Sequence, residues 1–335
     1  MGNTALKEKF GFEGQRMSAQ EYEFVCNQLR QGLPFATKDR FRGVKIIPSY
    51  EFKKDHGDVD CVTMDRDANN FENMSRKIKE TYKARYVRKN SNVYSFDFLE
   101  KYQIDLAVFE DTKPYHAYLS FCSYSPIGNC MGYMLKQAGL KWGIDGLTYP
   151  VKLSDSEQLG CIPISTNLES VVEFFESDVG YGNFYEERDI FQFLTGSRFF
   201  SKDIFAFENL NSINKNRNAK RGDYNRWLEY IKDMKNTFIG DPDKTVYIKE
   251  ISKHFSVDIL DKWKKMLGDH LVKKDMASKF SGSLVMEVTG AEGKDLGNII
   301  RAFKDHNGPL DSDYILTHTK EQVEARFVDW YKLNK

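Results

Sequence analysis

Apolar and polar positions alternate most clearly between residues 43 and 110, and helical spacing flanks that region on both sides. Residues 18–31, SAQEYEFVCNQLRQ, set Tyr22, Val25, Cys26 and Leu29 on one helix face. Ser18 and Glu21 have capping-box spacing. Strands are expected at 43–49 (GVKIIPS), 58–64 (DVDCVTM), 85–87, 93–98 and 102–110 (YQIDLAVFE), with a helix near 70–82. This is an α/β (α+β) layout: a mixed sheet of four or five strands with helices packed on it, ending near Pro150. Beyond it the pattern predicts mainly helices, from Thr166 and Glu169 as a cap through Glu176, then at 186–194, 224–237, 259–271 and 295–304. The expected domains are therefore 1–150 and 151–335.

The chemistry is concentrated in PSYEFKKDHGDVD, residues 48–60. Alternate strand residues share a face, so Asp58 and Asp60 project together while Val59 and Cys61 turn to a core. Asp105, within another apolar strand, is costly to bury unless paired or metal-bound. Three carboxylates on neighbouring strands suit a hard divalent cation that keeps positions open for water and phosphate. Taken alone, Gly57-Asp58 also reads as a turn and Asp-x-Asp as a solvent-facing pair. His56 is either a substrate contact or a solvated loop histidine.

Composition narrows the class. At 335 residues and 41% hydrophobic the chain suffices for two or three packed cores. Its 49 basic and 49 acidic residues cancel, so a nucleic-acid surface has to be a local patch. The candidate is Lys215, Arg217, Lys220, Arg221 and Arg226; a solvated helix entry is the competing reading. Lys136 and Lys141 are further phosphate candidates, with exposed helix lysines as the plainer alternative, and the aromatics of 191–207 read as core. Five cysteines without CxxC spacing point to reduced thiols in a cytoplasmic setting. No apolar run reaches the roughly 20 residues of a membrane helix, so no membrane partner is expected.

With these residues in place, residues 43–148 resemble the palm of the DNA polymerase beta superfamily of nucleotidyltransferases. That family has Gly-Ser after the first strand, then Gly-Asp-x-Asp, matched by Ser49 and Gly57-Asp58-Val59-Asp60. Its third carboxylate lies in an apolar strand, matched by Ile104-Asp105-Leu106. Residues 120–147 are similar to the family X segment beside the incoming sugar. The resemblance implies two ions, Mg²⁺ or Mn²⁺, on Asp58, Asp60 and Asp105. It implies phosphate binding by Ser49 and the Gly57 backbone with Lys53 and Lys54, and sugar and base contacts from Phe121, Ser123, Ser125 and Asn129.

The departures are specific. Pro48 replaces the family's glycine, Glu51 and Phe52 stand where arginines are usual, and Cys122-Ser123 replaces Thr-Gly. Too few residues precede the palm for the lyase module of repair polymerases. Residues 280–306 are similar to the tail of CCA-adding enzymes and bacterial poly(A) polymerases, through Gly282, Leu284, Met286, Gly290, Gly293, Leu296 and Gly297. This glycine-rich turn is either a phosphate site or a tight inter-helix turn closely packed at Gly297. The implied partners are an NTP or dNTP and an RNA or DNA 3′ end. Transfer to a protein or small molecule, and a catalytically inactive nucleic-acid-binding module, remain alternatives.

Overall fold

A computed structural model describes residues 5–32, 43–154, 157–306 and 310–334; the parts of the two expected domains that fall between these ranges lie outside the described residues. The chain opens with α1 (Ala5–Phe10), β1 (Met17–Ser18) and α2 (Ala19–Gly32). The predicted capping box starts α2: the Ser18 amide donates to Glu21 Oε2 at 2.9 Å, and the Glu21 amide donates to Ser18 Oγ at 3.3 Å. The helix buries Val25, Cys26 and Leu29.

Next come β2 (Lys45–Ile46), β3 (Asp55–His56), β4 (Val59–Met64), α3 (Phe71–Tyr82), β5 (Val87–Asn90), β6 (Val93–Phe98) and β7 (Tyr102–Phe109). A mixed five-stranded sheet has the order β2-β4-β7-β6-β5. Only β4 and β7 run parallel within it; the other neighbours are antiparallel. Strand β2 is shorter than 43–49 because Pro48 has no amide for the ladder; one further bond, Ile47 N to Asp60 O at 3.0 Å, closes it. Strand β5 begins later than Arg85 because the Tyr86 amide donates to the Asp97 carboxylate at 2.7 Å instead.

The two faces of this sheet separate cleanly. Val59, Cys61, Ile104, Leu106, Tyr94 and Phe96 pack with residues of α2 and α3. Val62, Ala107 and Phe109 pack with Tyr115 and Leu119 of α4 (Thr112–Cys122) on the other. By strand alternation Asp60 and Asp105 lie on this second face.

After α4 follow α5 (Ile127–Leu135), a 3₁₀ turn (Lys136–Ala138), β8 (Lys141–Gly143), β9 (Gly146–Lys152) and β10 (Gln158–Ser165), the strands forming a sheet of order β10-β9-β8. Strand β10 lies in the stretch expected to be mainly helical, where no strand was predicted. The helices α6 (Leu168–Phe175), α7 (Glu187–Thr195), α8 (Ser212–Ala219), α9 (Gly222–Ile231) and α10 (Ile248–Phe255) come next. Asn167, rather than Thr166, caps α6 by accepting from the Ser170 amide at 3.2 Å. Phe191, Phe193, Phe199, Phe200 and Phe205 are buried, as a core reading requires.

The compact units do not divide at Pro150. One comprises Met1–Pro150 with Cys161–Val257, the other Val151–Gly160 with Asp258–Lys335. The helices up to α10 thus belong with the five-stranded sheet. The second unit holds α11 (Ile259–Lys279), α12 (Gly282–Thr289), α13 (Gly293–His306), α14 (Leu310–Thr317) and α15 (Lys320–Asn334), around Phe280, Val285, Phe303, Val323 and Phe327. Gly290 and Gly293 both take left-handed backbone, φ 68° and 55°, between α12 and α13. Gly297 is not there for close packing: a Cβ built on it meets nothing within 4 Å. Among the described residues no helix is long and apolar enough to cross a membrane, and the five cysteines are free thiols.

Candidate active site

Parallel pairing sets the centre of the site. Asp60 of β4 stands directly opposite Asp105 of β7 in the register. Two residues in register on neighbouring strands present the same face, so both carboxylates rise from the α4 side of the sheet. Asp58 sits one step earlier than expected, in the bend with Gly57 between β3 and β4 rather than in the strand.

The three carboxyl groups sense one another. Asp60 titrates well above the usual carboxylate range, first through desolvation and then through Asp58 and Asp105, while Lys53 opposes the shift. Asp105 is pushed up to about 6, again by desolvation first and Asp58 next, with hydrogen bonds from Ser95 and Gln103 opposing. Asp60 nevertheless has an exposed surface and Asp105 a half-exposed one. Solvent thus reaches both groups although neighbouring protein atoms crowd them. Two other acids are paired instead with cations: Asp65, just past the end of β4, with Lys77 at 2.8 Å, and Asp97 of β6 with Arg85 at 3.3 Å.

Among the described residues no group of three or more acidic, thiol or imidazole side chains is already gathered into an ion cage. The donor set still fits a hard cation by its chemistry. It is all carboxylate oxygen, close enough to repel, and a divalent ion would relieve that repulsion.

Two neighbours orient Asp105. Gln103, two residues earlier on the same strand face and 1% exposed, donates its amide to both carboxylate oxygens, at 3.1 and 3.2 Å. Its own oxygen accepts from the Leu6 amide at 3.3 Å. Ser95 stands opposite Asp105 on β6. The sequence reading missed both. Gln103 carried a usable signal in its i−2 spacing; Ser95 carried none without the register.

The expected nucleotide residues gather unevenly. Ser49 follows β2, half-buried, within the chain that bonds Asp60 through Ile47. The Tyr124 amide donates to the Pro48 carbonyl at 2.8 Å, so the Ser49 loop and the turn carrying Phe121, Ser123 and Ser125 meet. Gly128 makes this turn possible: a Cβ there would lie 2.0 Å from the Phe121 carbonyl oxygen. Ser125 is exposed in the turn before α5, and Asn129 is half-exposed on the first turn of that helix. Ser123 is different. It is 5% exposed, and its hydroxyl donates to the Leu119 carbonyl at 2.7 Å, closing the end of α4 instead of facing a ligand.

Of the two lysines, Lys53 acts on the Asp60 carboxylate, whereas Lys54 is exposed. His56 is neither solvated nor turned to substrate. It is 4% exposed, lies flat on Tyr22 with ring centroids 3.6 Å apart, and shares a 3.1 Å hydrogen bond with the Lys53 carbonyl.

The basic stretch splits as well. Arg226 is held by Glu187, Nε to Oε2 at 2.5 Å and Nη2 to Oε1 at 2.7 Å, so it is not a free phosphate ligand. Arg217 has its pKa lowered, chiefly by desolvation and then by Arg221. Cys122 is pushed up to about 12 by desolvation and by Asp60, with Arg217 acting in the opposite sense. One thiol at the end of α4 thus lies within electrostatic reach of both Asp60 and Arg217. Lys215 is half-buried and Lys220 exposed.

No family model matches the chain, and no curated protein matches it either.

Proposed function

We propose that the chain is a metal-dependent nucleotidyltransferase with a polymerase-beta-like palm, which moves a nucleotide from an NTP or dNTP to the 3′ end of RNA or DNA. The supporting observation is the in-register pair Asp60 and Asp105 on parallel strands, coupled to Asp58 and adjoining the Ser49 loop. Asp58 and Asp60 would hold two Mg²⁺ or Mn²⁺ ions, and Asp105 would share the one nearer the attacking hydroxyl. Such ions, when bound, lower the pKa of that hydroxyl and offset charge on the departing pyrophosphate.

The chain's own groups do the rest. Gln103 and Ser95 keep the Asp105 carboxylate aimed, and Asp105 is placed to accept the hydroxyl proton. Ser49, the Gly57 backbone and Lys53 receive the β and γ phosphates, with Arg217 and Arg221 adding positive charge from α8 and its C-terminal end. The turn at Phe121–Ser125 and Asn129 flank the sugar and base, with Ser123 serving only to shape that turn. A protein or small-molecule acceptor is the second reading. It gains weight from the pairing of Arg226 with Glu187, which removes one cation from the polymer-tracking surface.

The test supplies Mg²⁺ or Mn²⁺, each labelled NTP and dNTP, and single-stranded RNA, tRNA lacking its end, single-stranded DNA and primed DNA. Extension by the wild-type chain that Asp58→Ala/Asp60→Ala lacks is the expected outcome. Labelling of a protein or small molecule instead of every polymer transfers the assignment to the second reading; no labelling of any acceptor overturns both.

A further inference from the structure

Apart from the carboxylates, the first unit contains a cavity of about 450 Å³ whose lining includes Tyr133, Lys136, Gln137, Asn211, Asn214 and Lys244. That volume falls within the roughly 300–1,000 Å³ of small-ligand sites. Tyr133 lies on α5 and Lys136 and Gln137 in the 3₁₀ turn that follows it, so one continuous stretch of chain supplies this side of the lining.

The polar groups here are partly spent in ways that leave defined valences. Gln137 Nε2 donates to the Phe199 carbonyl at 3.0 Å and, more weakly, to the Met134 carbonyl at 3.5 Å, leaving Oε1 as an acceptor. Asn211 Oδ1 accepts from the Asn214 amide at 2.9 Å, leaving Nδ2 as a donor. The Asn214 side-chain amide forms no hydrogen bond among the described residues. Asp203, also on the wall, has its Oδ2 occupied by Asn236 Nδ2 at 2.6 Å.

The two lysines have no ion-pair partner among the described residues. Lys244 packs closely over two glycines, and its Nζ donates to the Asp241 carbonyl. Its Cβ lies 3.0 Å from where Gly139 would carry a side chain, and its Nζ lies 3.2 Å from the same point on Gly240. Gly139, at φ 80°, adopts backbone that suits glycine. Lys136 is exposed at the rim.

An aromatic ring, amide donors and acceptors, and two ammonium groups against the single wall carboxylate of Asp203, which is bonded to Asn236, match the three parts of a nucleotide: a base face, base edges and a phosphate. We infer that this cavity binds a nucleoside phosphate, the base against Tyr133 and the amides and the phosphate between Lys136 and Lys244. The ligand is a free mononucleotide or one residue of a strand. The inference stands apart from the transfer reaction, because none of the three carboxylates takes part.

Equilibrium dialysis of the full chain against AMP, adenosine, inorganic phosphate and an adenylate hexamer tests it. Asp58→Ala/Asp60→Ala is run in parallel so that binding at the three carboxylates is told apart. Saturable AMP binding is expected in both proteins, with adenosine and phosphate weaker. Lys136→Glu/Lys244→Glu is expected to weaken it at least tenfold. Asn214→Ala, which removes no bond of the fold, should weaken it too. A hexamer that binds more tightly than AMP assigns the site to a strand, and one that does not assigns it to a free nucleotide. No saturable binding of AMP or hexamer, phosphate binding as tightly as AMP, or affinity unchanged in the cavity variants overturns the inference.

Discussion

Gln103 is the residue whose removal separates aim from charge. It touches both oxygens of Asp105 yet holds no ion itself, so Gln103→Met should leave the ligand set intact but loosely held. Outer partners of ion ligands typically contribute about 10–100-fold in affinity or activity. Transfer by Gln103→Met should fall within that range, and raised Mn²⁺ should restore part of it. An unchanged ion requirement in a titration of activity against Mn²⁺ would remove Gln103 from the site. At this scale the strands that carry Asp60 and Asp105 were readable from their period, whereas the side-by-side placement of the two needed the parallel register, and Asp58, expected on the same strand face as Asp60, lies in the bend before it. Ser123 was misread because hydroxyl bonding to the carbonyl four residues back depends on where α4 stops. The pairing of Arg226 could not be read from sequence because its partner Glu187 is 39 positions away.

Among the elements, the approach of α5 to the end of α4 is the tightest joint near the site. Gly128→Ala would place a methyl 2.0 Å from a backbone oxygen, and a backbone atom cannot swing aside as a side-chain tip can. Overpacking of this kind costs about 1–3 kcal/mol, so the denaturation midpoint should drop, and nucleotide affinity should fall with it as the Phe121–Ser125 turn shifts. The tie between α2 and β7 responds to acid. Glu21 titrates at about 2 instead of 4.5, through hydrogen bonds first from Lys101 and then from Ser18 and Tyr102. Because the folded value is depressed, this group stabilises the fold fully above about 4.5 and loses that contribution as pH falls toward 2. Glu21→Gln should therefore be less stable than wild type at neutral pH, with the gap closing through that window in urea titrations. Most elements were legible from spacing and caps. Strand β10 was not, since Gly160 and Pro163 interrupt its pattern, and both disfavour a strand assignment from sequence.

For the whole molecule, local pattern gave the mixed sheet and the helical C-terminal region but not the division between units. The change from strands to helices near Pro150 looked like a boundary. Contacts between distant segments place Cys161–Val257 with the sheet and Val151–Gly160 with the last helices. Such grouping depends on which apolar faces meet, and that is not written in any single window of sequence. One consequence bears on function: the segment with Arg217 and Arg221 belongs to the same unit as the carboxylates. The most direct test of the account follows the phosphorus. With an acceptor and Mg²⁺, label at the α position of a nucleoside triphosphate should appear on the acceptor and label at the γ position should leave in pyrophosphate, with both lost in Asp105→Asn. Transfer of the γ label to the acceptor, or full activity in Asp105→Asn, would contradict nucleotidyl transfer at these carboxylates.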